Sequence, residues 1–462
     1  MKQFKDVDLN LLKKYDTVGP RYTSYPPAPV FTPEFDARNF EVELILNNQL
    51  RSSEDLSLYF HLPFCDTLCY FCGCTMMVTR DRTRVRSYVE TLKREVDLFH
   101  RYVGRGRRVA QLHWGGGTPT HLTPDEILDL SRHISRRFQI PSDAEVSVEV
   151  DPRGLTREHM QVLRESGFNR VSLGVQDFDV RVQRAVNRIQ PPEVTEQAIE
   201  WARELGFSSL NVDLMYGLPL QTEKSFERTV NQIIGIAPDR IAVFNYAHVP
   251  WLKPHQKLIH PEDLPSPEMK LSTLKMTIER LTDAGYWYIG MDHFAKPEDE
   301  LSVAQRNRTL SRNFQGYSTK GGCDLYGIGM SSISHFGQVY AQNSKKILDY
   351  SSAIEADTFA THLGYKMSRD DEVRKYVIMK LMCDLVVEKR DVEAKFGMRF
   401  DEYFREAIER LTPLVDDGLV SFSADLINIE GAGRLVLRNI AMCFDAHLPD
   451  LQKEKQVFSR TV

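Results

Sequence analysis

From about residue 56 to residue 294 the chain alternates short β-rich apolar runs with longer segments of helical spacing. The strand candidates are Leu58–His61, Val109–Trp114, Glu145–Val150, Arg170–Val175, Leu210–Leu214, Ile241–Phe244 and Trp287–Met291. Helical spacing runs through Tyr88–Tyr102, Pro124–Phe138 and Thr195–Leu205. Such alternation predicts parallel strands joined by right-handed helical crossovers. Gly167-Phe168, Gly206-Phe207 and Gly285-Tyr286 each end a helical segment just before a strand. Glycine there accepts the left-handed conformation that stops a helix, and the aromatic ring seals it against the sheet. The expected fold class is α/β, an open or partial (β/α) barrel. A doubly wound open sheet is the alternative, because strand order is not written in one sequence.

Nearly every strand candidate runs into a polar or glycine-rich turn: Cys65 onward, Gly115-Gly116-Gly117-Thr118-Pro119, Asp151-Pro152, Gln176-Asp177, Tyr216-Gly217 and Asn245-Tyr246-Ala247-His248. Ligand sites in parallel α/β folds lie beyond the carboxyl ends of the strands, so these groups are expected on one face. Three segments are expected: an N-terminal extension (1–55) covering the barrel mouth, a barrel (56–365) and a C-terminal helical domain (366–462). The first carries Arg21-Tyr22-Thr23-Ser24-Tyr25-Pro26-Pro27, which does not suit a regular helix. The last reads helix (Glu402–Val415), turn, hairpin (Leu419–Ile429) and helix (Gly433–Met442), a winged-helix-like order. Acids outnumber bases eight to four between Asp401 and Ile440, wrong for a surface that contacts phosphates. The formal net charge of -5 also argues against general nucleic-acid binding. The first residues lack an apolar leader core and no apolar run is long enough to span a bilayer, so a cytoplasmic protein is expected.

Four of the seven cysteines, Cys65, Cys69, Cys72 and Cys74, fall within ten residues, directly after the strand Leu58–His61. Clustered thiols in a reducing compartment point to metal, whereas Cys323, Cys383 and Cys443 read as small buried side chains. Four thiolates can close a zinc site, but zinc ligands usually come from two knuckles separated by a spacer. A C-x3-C-x2-C array can instead hold three irons of a 4Fe–4S cluster and leave the fourth open for chemistry. Phe64, Tyr70 and Phe71 would shield such a cluster from water. Glu145, Ser147, Glu149 and Asp151 alternate with valines and so share one side of their strand; a carboxylate there can accept bonds from a ribose diol. Consecutive glycines at 115–117 allow close backbone approach by a ligand.

C-x3-C-x2-C is the signature of the radical S-adenosylmethionine (radical SAM) superfamily. The text from Tyr59-Phe-His-Leu-Pro-Phe-Cys65 through Cys72-Gly-Cys74 resembles the oxygen-independent coproporphyrinogen III oxidases. The resemblance extends over almost the whole chain. It includes Arg21-Tyr-Thr-Ser-Tyr-Pro, His113-Trp-Gly-Gly-Gly-Thr-Pro-Thr, Phe244-Asn-Tyr-Ala-His, Gly290-Met-Asp-His-Phe-Ala, Asn313-Phe-Gln-Gly-Tyr and Arg438-Asn-Ile-Ala-Met-Cys-Phe-Asp. It implies oxidative decarboxylation of two propionates of coproporphyrinogen III to vinyl groups, through a 5′-deoxyadenosyl radical, in haem biosynthesis. It further implies that Cys65, Cys69 and Cys72 hold a 4Fe–4S cluster. Tyr59, Gly116, Glu149 and Ile333 match positions around one S-adenosylmethionine. Phe71, Gly117, Thr118, Gln176, Arg188, Asp213 and Ala247 match positions around a second. Cys74 and Tyr59 are the expected catalytic side chains. The implied partners are the tetrapyrrole and a flavodoxin- or ferredoxin-like electron donor, and a monomer is expected.

Two features have plainer readings. The basic run from Arg80 to Arg86 suits a solvated helix start, or attraction of a substrate with four carboxylates. His61, His113, His248 and His293, near strand ends, suit either substrate positioning or structural hydrogen bonds. The rival functions are a haem-trafficking protein on the same barrel and another radical enzyme using two cofactors. Cys74 and the Arg21-Tyr-Thr-Ser-Tyr segment favour the oxidase over the carrier.

Overall fold

The computed structural model describes residues 8–103, 106–453, 458 and 460; parts of the three expected segments at other positions lie outside them. Strands β1 (Leu56–Leu62), β2 (Val109–Gly116), β3 (Glu145–Val150), β4 (Arg170–Gln176), β5 (Ser209–Tyr216) and β6 (Arg240–Asn245) lie parallel and adjacent in chain order. A doubly wound sheet reverses its order at a switch point. Across β1 to β6 the order does not reverse, as the partial barrel requires. Period-two patterning gives its strands two different faces. Leu58, Phe60, Leu112, Trp114, Val146 and Val148 are buried in the core that also holds Val89, Leu92, Ile127 and Leu130 of the helices Arg82–Tyr102 and Pro124–Arg137. The alternate positions Tyr59, His113, Ser147, Glu149, Ser172, Asn211 and Asp213 carry polar groups to the opposite, concave face.

The seventh expected strand is present and runs in the same direction as β6, but a return strand that was not expected separates the two. The chain at Trp287–Met291 forms β7 (Trp287–Gly290), reverses, and returns as β8 (His293–Ala295), which pairs antiparallel with both β7 and β6. The left-handed backbone of Gly290 (φ 150°) and Met291 (φ 54°) makes the reversal. On the other side of β1 lie strands absent from the expected set: β9 (Asp324–Ile328), parallel to β1, then β10 (Ile333–Phe336), β11 (Val339–Asn343) and β12 (Thr361–Lys366) in an antiparallel meander. They complete a 12-stranded sheet in the order β12-β11-β10-β9-β1-β2-β3-β4-β5-β6-β8-β7.

Beyond β12, the helix Arg369–Asp384 leads to the short strand Val386–Glu388, the helices Lys389–Phe396 and Arg405–Asp416, and the hairpin Val420–Phe422/Leu426–Ile429. Val386–Glu388 joins that hairpin in a three-stranded antiparallel sheet, completing the winged-helix order that the sequence outlined without it. The expected helix from Glu402 breaks at Phe404, and the one from Gly433 opens as a 3-10 turn, Gly431–Val436. Before the barrel, the Arg438 guanidinium donates to the carbonyls of Gly19 and Pro20, and Tyr22 and Tyr25 bond to Asp445 and Ala446. Arg21 pairs with Asp292 at the β7–β8 reversal.

Candidate active site

The cysteine loop begins where β1 ends. Its two stems, Phe64–Cys65 and Met77–Val78, pair in parallel and close the loop at its base. Within it, loop carbonyls are taken by donors from several parts of the barrel. His61 Nε2 meets Thr75 O at 2.7 Å, His255 Nε2 meets Cys72 O at 2.8 Å, and Lys253 Nζ reaches Cys74 O at 2.9 Å. Asn187 Nδ2 bonds Leu68 O at 2.8 Å, and Gln256 Nε2 bonds Phe71 O at 3.1 Å. A buried carbonyl without a donor is costly, so these bonds hold the loop's shape.

The loop forms one wall of a cavity of about 350 Å³ beyond the carboxyl ends of β1 to β6. Cys65, Cys69, Cys72 and Cys74 line it, together with the expected cofactor residues Phe71, Gly116, Gly117, Thr118, Glu149, Gln176, Arg188 and Asp213. Tyr59 and Ile333 lie elsewhere: Tyr59 pairs with Gly327 of β9, which packs on the Ile333 backbone. Ala247 lines a neighbouring cavity with Tyr246 and His248. Of the other histidines, His61 and His113 border the loop and Glu149, whereas His293 is held far below its ordinary range, at about 3, by burial and by Arg312, Arg21 and Arg240.

The charges in this cavity are ordered. Glu149 Oε2 accepts from the Gly116 N–H at 3.1 Å, and Oε1 lies 3.3 Å from His113 Nε2. His113 Nδ1 lies 2.6 Å from Ser147 Oγ, and its ring stacks on Tyr59 with centroids 5.8 Å apart. Burial opposes the Glu149 charge, but His113 and the Gly116 N–H outweigh it and hold the carboxyl below its ordinary range. Asp213 is instead pushed up to about 7 by burial and by Glu149, despite bonds from Asn211 and Ser172. The two carboxyls therefore differ near neutral pH, Glu149 ionised and Asp213 readily protonated.

On the thiol side, Arg153 Nη2 lies 3.3 Å and Arg188 Nη1 3.6 Å from Cys69 Sγ. Both guanidiniums pair with Asp151, at 2.7 and 2.9 Å. Cys65 is pushed up to about 12 by burial, and Cys72 is held below its ordinary range by its hydrogen bond with Cys74. Arg153 was missed as a site residue, and Asp151, expected on this face, was given no role; the place of Arg153 in the turn after β3 was the available signal. The glycine run has a packing reason of its own. A Cβ at Gly116 would stand 2.7 Å from the His61 ring, and one at Gly117 would stand 2.6 Å from the Pro63 carbonyl.

Residues 59–233 match the Radical SAM superfamily, and residues 367–436 match the HemN C-terminal domain. That defines the class: a radical SAM protein with a second, C-terminal domain. The chain is 46% identical over 457 residues to an oxygen-independent coproporphyrinogen III oxidase of Pseudomonas aeruginosa, covering 98% of each. It is 46% identical to the Escherichia coli protein of that name (99% of each chain) and 43% identical to that of Synechocystis (98% of this chain, 97% of the other). A solved structure described as coproporphyrinogen III oxidase (HemN) from Escherichia coli, a radical SAM enzyme, superposes with a TM-score of 0.91 at 44% identity, covering 96% of this chain and 99% of that one. The chain belongs to the oxygen-independent coproporphyrinogen III oxidase family.

That family implies a 4Fe–4S cluster and S-adenosylmethionine, and the residues present fit both. Among the described residues no three His, Cys, Asp or Glu side chains converge on one point, as a single metal ion requires. A cluster takes one thiolate per iron and so needs its cysteines spread around a larger body. The same cavity wall holds buried polar atoms without a partner among the described protein atoms, Gln176 Oε1 and Arg188 Nε, as a polar ligand there requires.

Proposed function

We propose that this cavity carries out the oxygen-independent oxidative decarboxylation of two propionates of coproporphyrinogen III, in haem biosynthesis. Cys65, Cys69 and Cys72 would hold the cluster, with two S-adenosylmethionine molecules in this cavity and against the residues that flank it. One lies against Tyr59, Gly116, Glu149 and Ile333. The other lies against Phe71, Gly117, Thr118, Gln176, Arg188, Asp213 and Ala247. When bound, cluster and cofactor supply a radical that takes one hydrogen atom from the propionate β-carbon. Each –CH2–CH2–COO⁻ chain then loses carbon dioxide and one electron and becomes –CH=CH2. The electron passes to an acceptor, and a flavodoxin- or ferredoxin-like protein would be the partner that supplies reducing electrons.

The chain's own groups position these partners. Glu149, held ionised, suits a ribose diol or an ammonium group, and Arg188 suits a carboxylate. His61 must donate from Nε2 to the Thr75 carbonyl, which leaves Nδ1 to accept from the Tyr59 hydroxyl at 3.1 Å. That pair couples the sheet interior to the cysteine loop beside Cys74. The N-terminal extension closes over the barrel mouth and keeps water from the radical.

The observation that carries this reading is the convergence of three spaced cysteines with Glu149, Arg188 and Asp213 on one cavity wall. The test is an anaerobic assay of reconstituted protein with coproporphyrinogen III, S-adenosylmethionine and a strong reductant, read by mass analysis of the tetrapyrrole. Loss of two carboxyl groups with formation of 5′-deoxyadenosine is expected. An unchanged tetrapyrrole from protein that carries its cluster and cleaves its cofactor overturns the reading.

A further inference from the structure

A second cavity, of about 390 Å³, opens at the other end of the sheet. It is bounded by Asp324 and Leu325, which pair with Leu56 and Ser57 where β1 begins, whereas the cysteine loop follows the end of β1. Seven residues of extended strand separate the two ends, roughly 20 Å. The helix Arg369–Asp384 brings Lys375 and Lys380 to this cavity, and the short strand Ser311–Asn313 brings Arg312.

Its charges are unbalanced. Arg51, Arg312, Lys320, Lys375, Lys380 and Lys395 line it, against the acids Asp324, Glu372 and Asp384. Asp324 already accepts from Arg107 at 2.6 Å and from Asn47 at 2.7 Å, and Asp384 is paired with Lys380 at 2.6 Å. Arg312 is only 8% exposed; its Nη2 donates to the Arg21 carbonyl at 3.4 Å and its guanidinium lies 4.6 Å from the Tyr317 ring centre, while Nε and Nη1 have no hydrogen-bond partner among the described residues. Lys375 Nζ lies 2.6 Å from His335 Nε2 and 4.9 Å from the Tyr340 ring centre; Glu372 raises it from a distance, but among the described residues no carboxylate stands within ion-pair distance of it. Burial lowers Lys375 to about 7 and holds His335 well below its ordinary range, so the imidazole accepts the bond without supplying a counter-charge. A buried cation without an anion is costly, and unpaired guanidinium donors cost more. The rest of the wall is apolar, with Leu325, Phe336, Met367, Tyr376, Met379 and Phe396.

We propose that this cavity is a second binding site, for a carboxylate borne on an apolar body, with Arg312 and Lys375 taking the carboxylate and the apolar wall taking the body. Two sources share that chemistry: the propionate edge of a tetrapyrrole, which rests on the function proposed above, and a medium-chain fatty acid, which does not.

Cys323 lies in the lining as a half-buried free thiol, pushed up to about 11 by burial, and so reports occupancy of this cavity alone. The reconstituted full chain is treated with iodoacetamide, and Cys323 alkylation is followed by peptide mass mapping with coproporphyrin III, with decanoate, or with neither. Ligand at about ten times its dissociation constant is expected to slow that alkylation about tenfold. Arg312→Gln and Lys375→Met should abolish the protection, and Lys375→Arg should restore it, which separates lost charge from lost folding. Protection by coproporphyrin III identifies the tetrapyrrole source, and protection by decanoate alone identifies the other. No protection by either ligand, or protection that survives both charge-removing substitutions, overturns the proposal. Turnover of coproporphyrinogen III in the same preparation is scored separately, so failure of the proposed function is not mistaken for failure of this one.

Discussion

Thiols that ligate and a thiol that reacts predict different losses on substitution. Cys69→Ser is expected to lose both iron–sulfur absorption and vinyl formation, because a hydroxyl is a poor ligand for iron. Cys74→Ser is expected to keep the absorption and the iron content while vinyl formation falls; loss of iron from Cys74→Ser would make it a ligand instead. Arg188 is nearly buried between Asp151, the Gly174 carbonyl and the Cys69 sulfur. Arg188→Gln should therefore lower unfolding stability by about 1–3 kcal/mol in denaturant titration, the usual cost of losing charge-assisted hydrogen bonds. It should also raise the S-adenosylmethionine concentration needed for half-maximal rate. At this scale the sequence was readable wherever a residue type has few other uses: spaced cysteines, or an acid or arginine at a strand end. It was silent on the partners that shape the loop, since nothing local links His255 or Asn187 to carbonyls some 183 and 119 residues away.

Elements here are held to one another by a few buried polar ties. Glu95, fully buried in the helix Arg82–Tyr102, accepts from the Gly329 N–H, from Asn343 of β11 and from the Tyr350 hydroxyl. Burial outweighs those bonds and raises its carboxyl from 4.5 to about 7. The folded protein thus keeps a proton that the unfolded chain releases, and this group's contribution to stability is lost as pH rises from about 4.5 to about 7. Glu95→Gln should remove that slope: denaturant midpoints of variant and wild type measured at about pH 4.5 and pH 8 should differ by a pH-dependent amount, and a constant difference would refute it. Long alternating elements such as β2 to β5 were legible because both faces of each strand are written in the sequence. The meander β9 to β12 was not: its strands are only four to six residues long, with serine, histidine, glutamine and asparagine among them. The return strand β8 was missed because it is only three residues long, too short to show a period.

For the molecule as a whole, the apolar core does not stop at the boundary between barrel and C-terminal domain. Val212, Leu214 and Ile289 belong to the same buried cluster as Val377, Leu381, Leu437 and Ile440. A chain ending at residue 366 would expose that surface, so it is expected to aggregate, and the intact protein should unfold in one calorimetric transition. Two resolved transitions would show the domains to be independent. What the sequence determined by itself was the alternation of strand and helix, the face each strand turns inward, and the chemistry of the cysteine loop. Periodicity and residue type are local properties, and each acts within a few residues of where it is written. Tertiary structure alone decided the order of the twelve strands, the split in protonation between Glu149 and Asp213, and the cation-rich cavity at the far end of the barrel. All three depend on burial and on charges brought together from distant parts of the chain, and desolvation is a property of the folded environment rather than of any residue.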